Sequence, residues 1–170
     1  MKKELAVEIG PRFTPKIRLL REDLRPQGSV MLVEKRKLWI DQIARDDYAW
    51  RVQGSSQRLP LTNDSVDLIF ASDFFGADGG IALIGKDHNY DYETMGSGHA
   101  YEWKRVCSPK GRVIIIEMSS PPPINYITNK FTGIGFELEE ENVGVDGNRI
   151  YGYGFLNFMP EGYSLVFRKK

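Results

Sequence analysis

The chain has 170 residues, 41% of them hydrophobic and 27% charged, which fits one soluble α/β-sized domain with a substantial core. Its 23 basic and 23 acidic residues cancel, so no global field draws it to nucleic acid or to an anionic membrane. No apolar run reaches the roughly 18 residues of a membrane span, and the single cysteine, Cys107, excludes an internal disulfide and a multi-cysteine metal site.

The start, Met-Lys-Lys-Glu-Leu-Ala-Val-Glu-Ile-Gly, holds too few apolar residues for a signal peptide, so a cytoplasmic protein is the plain reading. Leu5–Ile9 predicts a first strand, followed by the turn Gly10-Pro11-Arg12-Phe13. Thr14-Pro15 then looks like a helix start, and Ile17, Leu20 and Leu24 follow at helical spacing until Pro26 and Gly28. Residues 30–33 predict a second buried strand ending in Glu34. Trp39, Ile40, Ile43 and Ala44 give residues 35–45 one apolar helical stripe. A third strand over 48–52, a polar loop at 54–58 and a turn at Asn63-Asp64-Ser65 lead to the apolar strand 66–71.

Residues 74–98 are glycine-rich and predict a long loop holding His88, Tyr90, Asp91 and Tyr92, at the strand end where open α/β sheets bind ligands. Ala100, Trp103 and Val106 predict a short helix, Ser108-Pro109-Lys110-Gly111 a turn, and 113–116 another apolar strand. Ile124, Ile127 and Phe131 predict a further helix closing at Gly133-Ile134-Gly135. Beyond it Phe136–Val145, 149–155 and 163–167 read as strands without helices between them, an antiparallel edge on a parallel sheet. The aromatic cluster Tyr151, Tyr153, Phe155, Phe158, Met159 and Tyr163 suggests either the far wall of an acceptor site or a homodimer surface.

Two segments carry a family resemblance. Gly54-Ser-Ser-Gln-Arg-Leu-Pro-Leu, running on to Ser72, resembles the adenine-contacting loop, LPF-type turn and fourth strand of class I S-adenosylmethionine-dependent methyltransferases. Glu102-Trp-Lys-Arg-Val-Cys-Ser-Pro-Lys-Gly-Arg-Val is similar to their RVLKPGG signature before strand five. Order and spacing agree from Leu5 to the C-terminus. The resemblance implies a Rossmann-like α/β fold over residues 1–170, with a mostly parallel sheet, helices on both faces and an antiparallel C-terminal edge. It also implies S-adenosylmethionine as cofactor and a small-molecule acceptor.

Carried across by position, the resemblance puts Glu8, Gly10 and Arg12 at the methionine end of the cofactor and Glu34 on the ribose hydroxyls. Ser55 and Ser56 fall where the family often has Asp-Ala beside adenine, and Ser72 and Asp73 near the transferred methyl. A carboxylate accepts from both hydroxyls of a diol, so an acid ending strand two is sensible chemistry for Glu34. Arg12 stands where a later glycine is expected, and either pairs with the methionine carboxylate or blocks the pocket with its bulk. Asp73, His88 and His99 are the side chains that could take a proton from an acceptor, and no metal is implied. Only residues 1–4 precede strand one, so the helices that often cover this family's sites are not expected. Two readings stay open beside the enzyme: a methyltransferase-like binding or assembly module, and a nicotinamide-dinucleotide domain, for which the glycine-rich turn is missing.

Overall fold

The computed structural model describes residues 4–11, 15–43, 50–75, 92–118, 122–145 and 159–170. Continuous apolar runs form the central strands, as expected of parallel strands covered on both faces. These are β1 (Leu5–Ile9), β2 (Ser29–Glu34), β4 (Val66–Ser72) and β5 (Cys107–Glu117), with β3 (Trp50–Gln53) outside β2. Two long strands, β6 (Phe136–Val145) and β7 (Met159–Lys169), complete one seven-stranded sheet in the order β3-β2-β1-β4-β5-β7-β6. The first five strands pair in parallel, and β7 runs antiparallel to both β5 and β6. The antiparallel C-terminal edge is therefore as the sequence predicts.

Helix α1 spans Lys37–Gln42, α2 Tyr92–Val106 and α3 Ile124–Gly133. Alternation along the strands sends Val7, Ile9, Ile69, Val113 and Ile115 to one face, where Trp103 of α2 and Phe131 of α3 cover them. Ala6, Leu68, Phe70 and Ile114 face the other way, onto Ile17, Leu20, Leu24 and Ile43. Trp103 is fully buried and packs among the rings of Phe74, Phe75 and Phe131.

Three elements differ from the sequence reading. The helix predicted from residue 14 to 24 is a single 3₁₀ turn, Ile17–Leu19, followed by a backbone turn in which Leu24 N donates to Arg21 O. Two tight turns bury Ile17, Leu20 and Leu24 as completely as a helix would. Second, α2 begins at residue 92, so the last part of the predicted 74–98 loop is helical despite Gly96 and Gly98. Packing of Ala100, Trp103 and Val106 outweighs the propensity cost of the glycines. Third, the 108–111 turn lies within β5: pairing to β4 jumps from Val66↔Cys107 to Leu68↔Arg112, with Lys110 at φ 66°. The predicted 149–155 strand lies outside the described residues.

Candidate functional site

The strand order reverses direction between β1 and β4, the crevice where open α/β sheets take ligands. Acidic residues gather at this end: Glu8 in β1, Glu34 ending β2, Asp73 after β4 and Glu117 ending β5. Each accepts backbone N–H groups and thereby shapes a loop. Glu8 is 1% exposed, and its two carboxylate oxygens accept from Lys16 N at 2.8 Å and Ile17 N at 3.1 Å. Burial pushes its pKa from 4.5 up to about 7, opposed by those two hydrogen bonds and by the Lys16 ammonium. Glu34 is also buried and accepts from Arg36 N at 2.9 Å. Glu117, with no exposed surface, accepts from Phe74 N at 2.9 Å and Phe75 N at 2.8 Å.

Gly10 extends the ladder by donating its N–H to Val33 O at 2.9 Å, then turns at φ 64°, a left-handed conformation that suits glycine. A Cβ there would lie 3.4 Å from the Phe74 ring, so the ring rests on the face of this glycine. Asp73 is also left-handed, at φ 50°. Its N–H donates to Ile116 O, its Oδ1 accepts from Met118 N at 2.8 Å, and its Oδ2 lies 3.7 Å from Lys16 Nζ. Lys16 Nζ also donates to Ser72 Oγ at 3.2 Å. Lys16, Ser72 and Asp73 thus meet at the C-terminal ends of β1 and β4, with the Lys16 backbone held by Glu8.

The loop after β3 is a tight turn: Arg58 N donates to Ser55 O, and Gln57 N donates to the Ser55 hydroxyl at 3.2 Å. Helix α2 grips it with three side chains at successive three-residue steps. The His99 ring bonds Ser56 Oγ through Nδ1 at 2.7 Å and Gln57 Nε2 through Nε2 at 3.2 Å. Glu102 Oε1 accepts from Leu59 N, and Arg105 donates to Leu59 O, Leu61 O and Asn63 Oδ1. The Arg105 guanidinium holds the Glu102 carboxyl below the usual range. Burial pushes the His99 pKa down to about 4, so the ring is neutral near pH 7, and Phe74 and Phe75 meet it edge-on. As a proton acceptor His99 is therefore poorly suited: it is buried and both its nitrogens are engaged.

Of the residues singled out in the sequence, Glu8, Gly10, Glu34, Ser72 and Asp73 come together at this sheet edge, and Ser55 and Ser56 lie on the adjoining β3 loop. Arg12 and His88 lie outside the described residues, as do Tyr151, Tyr153, Phe155 and Phe158. Tyr163, counted with that aromatic cluster, is buried in the core instead. Cys107 is buried, and burial pushes its thiol up to about 12. Sequence reasoning missed Lys16 and Glu117. An acid closing an apolar strand, the pattern of Glu34, was the available signal for Glu117.

Several solved structures superpose on nearly the whole chain. A methyltransferase from Methanosarcina mazei matches with TM-score 0.65 at 10% identity, over 99% of this chain and 94% of its own. The chain has the fold of the S-adenosylmethionine-dependent methyltransferases. A second such enzyme, from Mesorhizobium loti, matches with TM-score 0.65 at 12% identity, over 96% of this chain and 90% of its own. The [4+2]-cyclase SpnF matches equally well, with TM-score 0.66 at 12% identity over 98% of this chain and 74% of its own. No family model and no curated protein match the chain in sequence. A methyltransferase fold thus also carries a cyclase, so the chemistry has to be argued from the site. Among the described residues, no helix is long and apolar enough to cross a membrane.

Proposed function

We propose that the chain is one methyltransferase-like domain, residues 1–170, that binds S-adenosylmethionine and methylates a small-molecule acceptor. The observation that carries this reading is the convergence of Gly10, the buried Glu34 and the Ser72–Asp73 pair on the β1/β4 crevice of a methyltransferase fold. The donor set suits the cofactor. Glu34 has the two-oxygen acceptor that a ribose diol requires, and Gly10 makes the left-handed turn that ends β1 at the crevice. Ser55 and Ser56 lie on the β3 loop, the side proposed for the base, and Arg12 is the residue proposed for the methionine carboxylate. When bound, S-adenosylmethionine supplies an electrophilic methyl on a sulfonium.

This chain's residues then have mainly to orient the acceptor and keep water away, because in-line displacement rewards positioning. The Lys16 ammonium and the Ser72 hydroxyl fix Asp73, whose Oδ1 is tied to Met118 N. Asp73 Oδ2 is the proposed acceptor of a proton where the nucleophile must lose one, with His88 as the other candidate. Residues 151–158 supply the proposed homodimer surface or acceptor wall, and nucleic acid is not a proposed partner. Isothermal titration with S-adenosylmethionine and S-adenosylhomocysteine tests the reading; no heat and no thermal shift at millimolar ligand would sink it.

A second reading, a methyltransferase-like module without catalysis, draws on one observation: the Phe74 ring lies on Gly10. If that ring fills the cofactor's place, Phe74→Ala should create cofactor binding that the parent protein lacks.

A further inference from the structure

The charged groups at this sheet edge divide by exposure. Glu8, Glu34 and Glu117 are buried and accept backbone N–H groups, whereas Lys16 and Asp73 keep 25% and 14% of their side chains exposed. This partly exposed ion pair stands beside the place proposed for methyl transfer. Lys16 is positioned through its backbone N–H, which donates to Glu8. Among the described residues its ammonium makes one hydrogen bond, to Ser72 Oγ at 3.2 Å, and lies 3.7 Å from Asp73 Oδ2, too far for a second. An ammonium has three donors, so two N–H directions remain beside the carboxylate.

A proton acceptor next to a cation with donors to spare suits a group that loses a proton and becomes an anion. A protonated amine would bring a second cation against Lys16, and a carboxylate would have no use for a proton acceptor. An aliphatic alcohol holds its proton too tightly for a carboxylate to take it. We infer that the acceptor is an acidic hydroxyl on an sp² carbon, a phenol or an enol, and that Lys16 is the catalytic residue that holds its oxygen as the oxyanion forms. This inference rests on the cofactor reading above and names the acceptor class. Asp73 Oδ2 takes the hydroxyl proton while Lys16 donates to the oxygen. The oxygen's electron pair forms the bond to the methyl carbon as the carbon–sulfur bond breaks toward sulfur, and the proton on Asp73 passes to water.

The first test is spectroscopic and needs no turnover. The probe is para-nitrophenol, coloured only as the phenolate, bound to Asp73→Asn saturated with S-adenosylhomocysteine. Asparagine keeps an oxygen for Met118 N, tolerates the left-handed backbone and removes the competing negative charge. At a pH where about half the free probe is ionised, the bound probe should be about 90% phenolate or more, because a cation within about 4–6 Å shifts the equilibrium at least about tenfold. Adding Lys16→Met should return it to about half or less, and Lys16→Arg should keep the shift. Methionine retains the backbone bond to Glu8, so thermal unfolding should show that variant folded. The second test uses S-adenosylmethionine labelled in its methyl group. Wild type should methylate phenol, catechol or para-nitrophenol but not benzylamine, and Lys16→Met should slow the phenols about a hundredfold or more. An unshifted probe, a shift that survives Lys16→Met, methylation of the amine alone or no phenol product overturns the inference, while calorimetric binding of S-adenosylhomocysteine leaves the cofactor reading standing. Failure of wild type to bind S-adenosylhomocysteine overturns that reading, and this inference with it.

Discussion

Raising the pH should destabilise this fold through one buried carboxyl group. Glu8 is 1% exposed and its pKa is pushed from 4.5 to about 7, burial outweighing two backbone N–H donors and the Lys16 ammonium. Between those values the folded protein keeps a proton that the unfolded chain releases. The contribution is therefore full below about pH 4.5 and is lost as the pH rises through 7. At about 1.36 kcal/mol per pH unit, the gap from 4.5 to about 7 is worth about 3 kcal/mol. Glu8→Gln removes the titration, but its amide turns a donor toward one of the two N–H groups, Lys16 or Ile17, that the carboxylate accepts. An unmet buried donor costs about 1–3 kcal/mol, so the variant should be the less stable protein at about pH 5. By about pH 8 the difference should have shrunk by about 3 kcal/mol, with the two stabilities meeting or crossing. Urea unfolding of both proteins at pH values from about 5 to about 8 measures this directly. Parallel stability curves for wild type and Glu8→Gln would refute the argument.

Glu34→Gln keeps an oxygen for Arg36 N but loses the charge proposed for the ribose diol. It should weaken S-adenosylhomocysteine binding about tenfold or more with little change in urea midpoint, as titration calorimetry and unfolding would show. Trp103→Ala empties a fully buried site among Phe74, Phe75 and Phe131 and should cost about 3–5 kcal/mol by urea unfolding. Cys107, buried with its thiol pushed up to about 12, should resist iodoacetamide at about pH 8 in the native protein and react fully in denaturant. Rapid native labelling, followed by mass spectrometry, would show that the strand opens there.

The central strands were legible because burial on both faces gives short apolar runs bounded by turn signals, at residues 30–33, 66–71 and 113–116. The 17–24 segment was not legible as two turns, because Ile17, Leu20 and Leu24 repeat at a spacing that both a helix and consecutive turns satisfy. Glu8 takes the N–H groups of Lys16 and Ile17 and fixes where the first turn begins. The site shows the same division. The acids and glycine at strand ends could be read from position along the chain. Their partners could not, since Lys16 meets Ser72 across 56 residues, Phe75 meets Glu117 across 42, and Ser56 meets His99 across 43. The first turns of α2 are hidden in the sequence by Gly96 and Gly98, because the loop that α2 holds lies 43 residues earlier in the chain.

The place of β7 has a consequence for synthesis. Residues 159–169 lie between β5 and β6, both of which leave the ribosome earlier. Until β7 emerges, β5 has one unpaired backbone edge and β6 lacks the strand it pairs with, and Phe167 is absent from its stack against Phe131. The parallel half of the sheet, β1 to β5, can assemble before β7 is made, but the antiparallel half cannot. A nascent chain arrested before residue 159 is therefore the species on which chaperone holding and edge-to-edge aggregation would compete.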